Sequence, residues 1–340
     1  MLVPILLLAV GFVLLIKGGD WYVDGASGIA RRFNLPEILI GATVVSIGTT
    51  LPEVMVSAGA AFQGSGDIAY GNAIGSIICN TSLIAAITIA IKPGAAPRKS
   101  LIIPSAFFFG AAALYSFTAY ALGEFSRIIG IILLTTFVVY MVTTVVNMKK
   151  AAALGADGTL TEAELEAATG EDHIVEGEGG HKKDTLLKDI ILLVVGAALI
   201  AVGADLLVDN AIIVAEKMGV SQKVIGLTIV ALGTSLPEFV TAITALIKGH
   251  GSLSLGNIIG ANLFNLVLVS GAAVTISPFA LPVSGLIGGV NSSLVIDIPV
   301  MLLVMSILII PTLIKQKLSR WQGILMLAIY AGFCVLQFVI

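Results

Sequence analysis

Residues 41–53 read GATVVSIGTTLPE, and 185 positions later residues 226–238 read GLTIVALGTSLPE. Without a gap, eight of these thirteen positions are identical, ending in the shared Leu-Pro-Glu of Leu51, Pro52 and Glu53. The same offset carries Asp20 onto Asp205, Asp24 onto Asp209, Gly71 onto Gly256, Asn72 onto Asn257, Gly75 onto Gly260 and Asn80 onto Asn265. Apolar letters coincide by chance; Gly, Pro, Asn and acidic residues kept in one register mark a tandem duplication. Whatever this chain folds into must be built twice.

The solvent of that fold follows from composition. Hydrophobic residues make up 57% of the chain and charged residues 11%, against about 45–50% and roughly 25% in a soluble domain. Too few polar side chains remain to coat a water-facing surface, which excludes a soluble enzyme, a nucleic-acid binder and a disordered chain. Apolar runs long enough to cross a bilayer predict helices at 3–30, 36–63, 68–90, 101–121 and 126–147, then at 186–215, 222–247, 252–275, 287–312 and 320–339. The first run lacks a basic leader and an A-x-A cleavage site and is read as a membrane helix, not a signal peptide. Five helices per half is an odd number, so the second copy enters the membrane from the opposite face. The expected fold is an all-α integral membrane protein of ten transmembrane helices in two inverted-topology repeats: residues 1–147, an acidic linker at 148–185, and residues 186–340.

Fourteen of the eighteen Lys and Arg residues fall in the linker and the other loops after odd-numbered helices. The positive-inside rule places that side in the cytoplasm and both termini outside. The short linker and missing leader point to the plasma membrane of a prokaryote. Within the linker, ADGTLTEAEL echoes half of a calcium-binding EF-hand loop, but Ala153 and Gly155 stand where the first two ligands are needed. It reads as a solvated connector with one short helix. Cys79 and Cys334 lie in apolar runs without metal or disulfide spacing and are expected to be small buried hydrophobes.

Glu53 and Glu238 sit in mid-span, where a charge costs at least about 2.5–3.5 kcal/mol. Equivalent positions of an inverted repeat converge near the midplane, and the one basic residue inside a span, Lys17, is expected to snorkel to the interface. Pro52 and Pro237 leave the carbonyls of Gly48 and Gly233 without helical partners, and with Ser46 and Ala231 these are candidates to turn towards a cavity. Thr49, Thr50, Thr234 and Ser235 precede each Glu by three or four residues on the same helix face, and Ser57 extends it. Asn72, Ser76 and Asn80 line one face of the third helix, as Asn257, Ala261 and Asn265 do on the eighth. Every donor is a hard oxygen; His173, His181 and His250 lie in the linker and a loop. Such a set suits Ca²⁺, Na⁺ or Mg²⁺, not zinc, copper or iron. Two carboxylates balance one divalent ion, or hold several Na⁺ with the neutral oxygens. Competition between those loads is the physical basis of antiport.

GTTLPE and GTSLPE, followed by GNAIGSIICN and GNIIGANLFN, resemble the two α-repeats of the calcium/cation antiporter superfamily, in its sodium/calcium exchanger branch. The α-repeats would span about 36–90 and 221–275. The resemblance implies one Ca²⁺ and up to three Na⁺ sites, with access alternating as the first helix of each half slides. Glu53 and Glu238 would then be the central ligands. Thr49, Thr50, Thr234 and Ser235 would add hydroxyls or carbonyls, Ser76, Asn80 and Asn265 side-chain oxygens, and Ser46 and Ala231 main-chain carbonyls. Asn265 replaces an Asp of the potassium-dependent branch and argues against K⁺ co-transport; Ala261 replaces a hydroxyl residue of some relatives.

The leading expectation is a Na⁺/Ca²⁺ antiporter that extrudes Ca²⁺ by alternating access. A carboxylate out of water binds protons readily, so an H⁺/Ca²⁺ antiporter using the same two Glu is the alternative, and a cation channel the reading from a different class. No HExxH, GxGD or membrane His supports an enzyme. The expected partners are Ca²⁺, Na⁺ (H⁺ on the alternative) and the lipid bilayer, with no cofactor and no nucleic acid; a monomer suffices.

Overall fold

The computed structural model describes residues 2–33, 35–156, 184–218, 233–283 and 285–339. The EF-hand-like segment, His173, His181 and Ala231 lie outside them. Among the described residues ten helices follow in order: α1 Leu2–Arg32, α2 Glu37–Phe62, α3 Gly66–Ile91, α4 Arg98–Leu122, α5 Arg127–Ala156, α6 Asp184–Lys217, α7 Leu236–Ile247, α8 Gly251–Ile276, α9 Ser293–Lys315 and α10 Arg320–Val339. Eight of these are long and apolar enough to cross a bilayer. The helix α7 is a shorter apolar piece that begins at Leu236, after Thr234 and Ser235 form a turn.

Loop pairing sorts the helix ends into two faces. The loops after α3 and α9 meet through an Ala95–Lys317 bridge, with Leu318 N–H donating to Gly94 O at 2.8 Å. The loops after α4 and α8 meet as an antiparallel pair, β1 Glu124–Phe125 with β2 Phe279–Ala280. Odd-numbered ends, including the α5 end from which the linker leaves, therefore share one face, and even-numbered ends share the other. Successive helices thus run in alternating directions, which gives the inverted five-helix repeats.

Water exclusion does not drive helices together inside lipid, so close packing must, and small residues permit it. The offset of 185 relates Gly11 to Gly196 and Gly18 to Gly203. In the fold Gly18 meets Gly196 and Gly11 meets Gly203, so α1 and α6 cross as a symmetric antiparallel pair. A Cβ on Gly18 would stand 2.8 Å from the Ile200 backbone nitrogen. The outer surfaces of α1, α5 and α6 expose Phe12, Val13, Val138, Ile191, Val194 and Val202, as lipid-facing helices do. The packed centre lies between α2, α3, α4, α8 and α9, where Ile77, Phe108, Tyr115, Phe264 and Met305 are buried.

Three expectations need correction. The ninth helix starts at Ser293, not 287, because Leu286–Ile287 (β3) and Val290–Asn291 (β4) form a hairpin. Gly288 and Gly289, at φ 57° and 83°, supply the left-handed turn that a two-residue hairpin loop requires. Pro237 does not interrupt a described helix: it lies in the first turn of α7, where proline breaks no hydrogen bond. Cys334 is only half-buried, whereas Cys79 is buried.

Candidate ion-binding site

The helix α2 runs through Pro52, and before it Gly41–Val45 forms a π-helical turn. Two further π segments begin at Asn80 (Asn80–Ala85, in α3) and at its repeat equivalent Asn265 (Asn265–Val269, in α8). Such wide turns concentrate at functional positions. The Asn80 segment packs on α7, which carries Glu238, and the Asn265 segment packs on α2, which carries Glu53. The duplication thus brings each amide against the acidic helix of the other half.

Glu53 and Glu238 are both 0% exposed. Thr50, one turn before Glu53, reaches across so that its Oγ1 donates to Glu238 Oε1 at 3.5 Å, which joins α2 to α7. Neither carboxylate oxygen of Glu53 has a hydrogen-bond partner among the described residues; nor does Glu238 Oε2. The same holds for both side-chain polar atoms of Asn80 and Asn265. Native interiors satisfy nearly all buried polar groups, so orphans gathered in one place ask for a ligand. The ion pairs Arg32–Asp189, Lys248–Asp20, Lys248–Asp24 and His250–Glu37 lie at linker-side helix ends, and none involves Glu53 or Glu238. Lys17 is exposed on the outer surface of α1.

The neutral oxygens divide into held and unheld groups. Ser46 Oγ donates to Gly41 O at 2.7 Å and to Asn257 O at 2.9 Å, and Thr49 Oγ1 donates to Asn257 Oδ1 at 3.2 Å. Ser76 and Ser235 are buried, and Thr234 is half-buried. Tyr22, Thr49, Pro52 and Pro237 line one small void of about 10 Å³ beside the site, room for about one water. No three His, Cys, Asp or Glu side chains cluster among the described residues. Any cage here is two carboxylates plus neutral oxygens, a donor set for hard cations.

Four residues stand beside the expected ligand set: Asn72 and Asn257, which the sequence reading places on helix faces without a ligand role, and Thr241 and Tyr22, which it does not single out. Asn257 anchors Ser46 and Thr49 from the other half, while Asn72 donates to Glu53 O at 3.2 Å and to Ser57 Oγ at 2.8 Å. Their shared register in the repeat was the signal. Thr241, one turn after Glu238, is fully buried with its hydroxyl unpartnered among the described residues; spacing alone pointed to it. Tyr22 of α1 donates to Val45 O at 2.7 Å, and no sequence signal marks it because its repeat equivalent is Leu207.

The family model described as sodium/calcium exchanger protein matches residues 3–146 and 188–339. The chain belongs to the sodium/calcium exchanger family. Sodium/calcium exchanger MaX1 of Methanosarcina acetivorans is 31% identical over 360 residues, covering 99% of each chain. Inner membrane protein YrbG of Escherichia coli is 36% identical over 283 residues, covering 82% of this chain and 81% of its own. The solved structure of the sodium-calcium exchanger NCX_Mj soaked with 2.5 mM Na⁺ and 0.1 mM Ca²⁺ superposes with a TM-score of 0.75 at 30% identity, over 97% of both chains. This exchanger is thus a ten-helix, inverted-repeat membrane transporter of the cation/Ca²⁺ antiport type, not an enzyme.

Proposed function

We propose that this exchanger moves Ca²⁺ outward against inward Na⁺ by alternating access, and that Glu53 and Glu238 are ligands shared by both ions. The observation that carries the proposal is the pair of fully buried, repeat-equivalent carboxylates with oxygens unclaimed by the described protein, flanked by the unclaimed amides of Asn80 and Asn265. Hydroxyls or carbonyls of Thr49, Thr50, Thr234, Ser235, Ser76 and Ser46, with the carbonyl of Ala231, complete the proposed donor set. The activity named for MaX1 and NCX_Mj supports sodium as the counter-ion. So does the chemistry: protons alone need no cage of amides and hydroxyls, whereas Na⁺ does. Asn265, being neutral, favours independence from K⁺. The basic residues of the odd-numbered ends support a reading with the linker side in the cytoplasm, both termini outside and the protein in a prokaryotic plasma membrane. The functional units are the two five-helix repeats, joined by the linker.

Proteoliposomes test this directly. Ca²⁺ uptake is expected when Na⁺ is loaded inside, with no dependence on K⁺ and little response to an imposed pH gradient. Uptake that follows the pH gradient and ignores Na⁺ would assign the two Glu to proton exchange. Ca²⁺ flux without any counter-ion would make the protein a channel.

A further inference from the structure

A cavity of about 380 Å³ opens on the linker-side face, between the end of α3, the α7–α8 turn and Leu318 after α9. It shares no lining residue with the carboxylate site. One wall is the N-terminus of α8. That helix starts at Gly251 after Gly249 (φ 88°) and His250, has no side-chain cap, and carries no acidic residue in its first turn. Its first-turn N–H groups and dipole favour an anion.

The walls agree with that preference. Ser254 lines the cavity, is 3% exposed, and its hydroxyl has no partner among the described residues. Ser252 and Lys92 line it too. No described atom lies within 4 Å of where a Cβ would stand on Gly94, Gly249 or Gly251, so bare backbone faces the space. The bridged loops around the mouth carry Lys92, Arg98, Lys99, Lys315, Lys317 and Arg320 and no acidic residue. Glu37 lies outside the lining, paired with His250 Nδ1 at 2.7 Å.

The duplication supplies a control. The N-terminus of α3 repeats the Gly-x-Gly turn, with Gly64 at φ 77°, but bears Asp67 where α8 has Ser252. There the space in front of Gly66 is filled by the Phe279 ring. One copy is acidic and closed; the other is uncharged and open.

We propose that this cavity binds a phosphate group. Its oxygens meet the first turn of α8 and the hydroxyls of Ser252 and Ser254, and Lys92 supplies the charge. The phosphate comes from an anionic lipid headgroup of the linker-side leaflet or from free phosphate, and basic pockets between transmembrane helices suit the former.

The purified full chain in neutral detergent is titrated with inorganic phosphate, short-chain phosphatidylglycerol and citrate, with the thermal midpoint as readout. The midpoint is expected to rise with at least one phosphate probe: a response to phosphatidylglycerol alone identifies the lipid, and a response to both identifies the phosphate group itself. Ser252→Asp should weaken that probe about tenfold or more, because it rebuilds the acidic first turn of α3, and Lys92→Gln about fivefold. Arg320→Gln, which alters a mouth residue outside the lining, should stay within about twofold. No response to either phosphate probe would overturn the proposal. So would an equal response to citrate, or an equal loss in Arg320→Gln and Lys92→Gln, which would reduce the effect to general surface charge.

Discussion

Replacing Glu53 with Gln keeps the shape of the side chain and one carbonyl oxygen and removes a single charge. Both oxygens of Glu53 lack partners among the described residues, so no described hydrogen bond to the side chain is lost with the charge. An opposite charge 4–6 Å from a carboxylate is worth about 1.4–4 kcal/mol. Na⁺ loses that amount once, and Ca²⁺, doubly charged, loses about 2.7–8 kcal/mol. At the lower bound Na⁺ binds about tenfold more weakly and Ca²⁺ about a hundredfold. The ion-free protein moves the other way, because a buried pair of like charges is relieved. E53Q should therefore melt at a higher temperature than the parent in chelator without Na⁺, yet gain almost nothing when Ca²⁺ is added. Isotopic Ca²⁺ exchange in proteoliposomes and thermal melts with and without each ion measure all three effects. Equal losses for Na⁺ and Ca²⁺, or Ca²⁺ stabilisation like that of the parent, would refute the shared-carboxylate reasoning.

Asn257→Ala removes the nearer acceptor of Thr49 and one side-chain acceptor of Ser46. At about 1 kcal/mol per lost bond, the Na⁺ concentration for half-maximal exchange should rise about fivefold, read from Na⁺-dependent Ca²⁺ uptake. Tyr22→Phe deletes the buried bond to Val45 O and should lower unfolding stability by about 1 kcal/mol, seen as a lower thermal midpoint. Gly18→Ala forces a Cβ against the backbone of Ile200 and Gly196, which cannot swing aside. It should cost about 2 kcal/mol or more. Gly110→Ala, with no described atom within 4 Å of the new carbon, should be neutral or stabilising; similar melting of the two would contradict the packing argument.

The duplication was legible because Gly, Pro, Asn and Glu are conspicuous against an apolar background, and one register linked Asn80 to Asn265 and Glu53 to Glu238. Helix number followed from apolar run length. What periodicity lacked was local geometry. The wide turns beginning at Asn80 and Asn265 leave no trace in letter spacing, since a π segment keeps the composition of the helix around it. The residues Ile287 and Val290 read as the start of a helix because their hydrophobicity outweighed the Gly288–Gly289 turn signal between them. Tyr22 has no counterpart in the other half, and Thr81 bonded to Asn262 at 2.7 Å is likewise private to one pairing of helices. A repeat exposes what the two halves share and hides what each acquired alone.

The unclaimed oxygens of Glu53 and Glu238 also bear on leak. An alternating carrier must pass through a dry, closed intermediate to change sides. With an ion aboard, the two anionic groups are neutralised there. Without one, the same intermediate must bury two uncompensated carboxylates, at several kcal/mol each, or first draw protons from neutral water to neutralise them. On the proposed mechanism, the barrier to returning unloaded comes from the binding groups themselves, so tight stoichiometric coupling needs no separate lock.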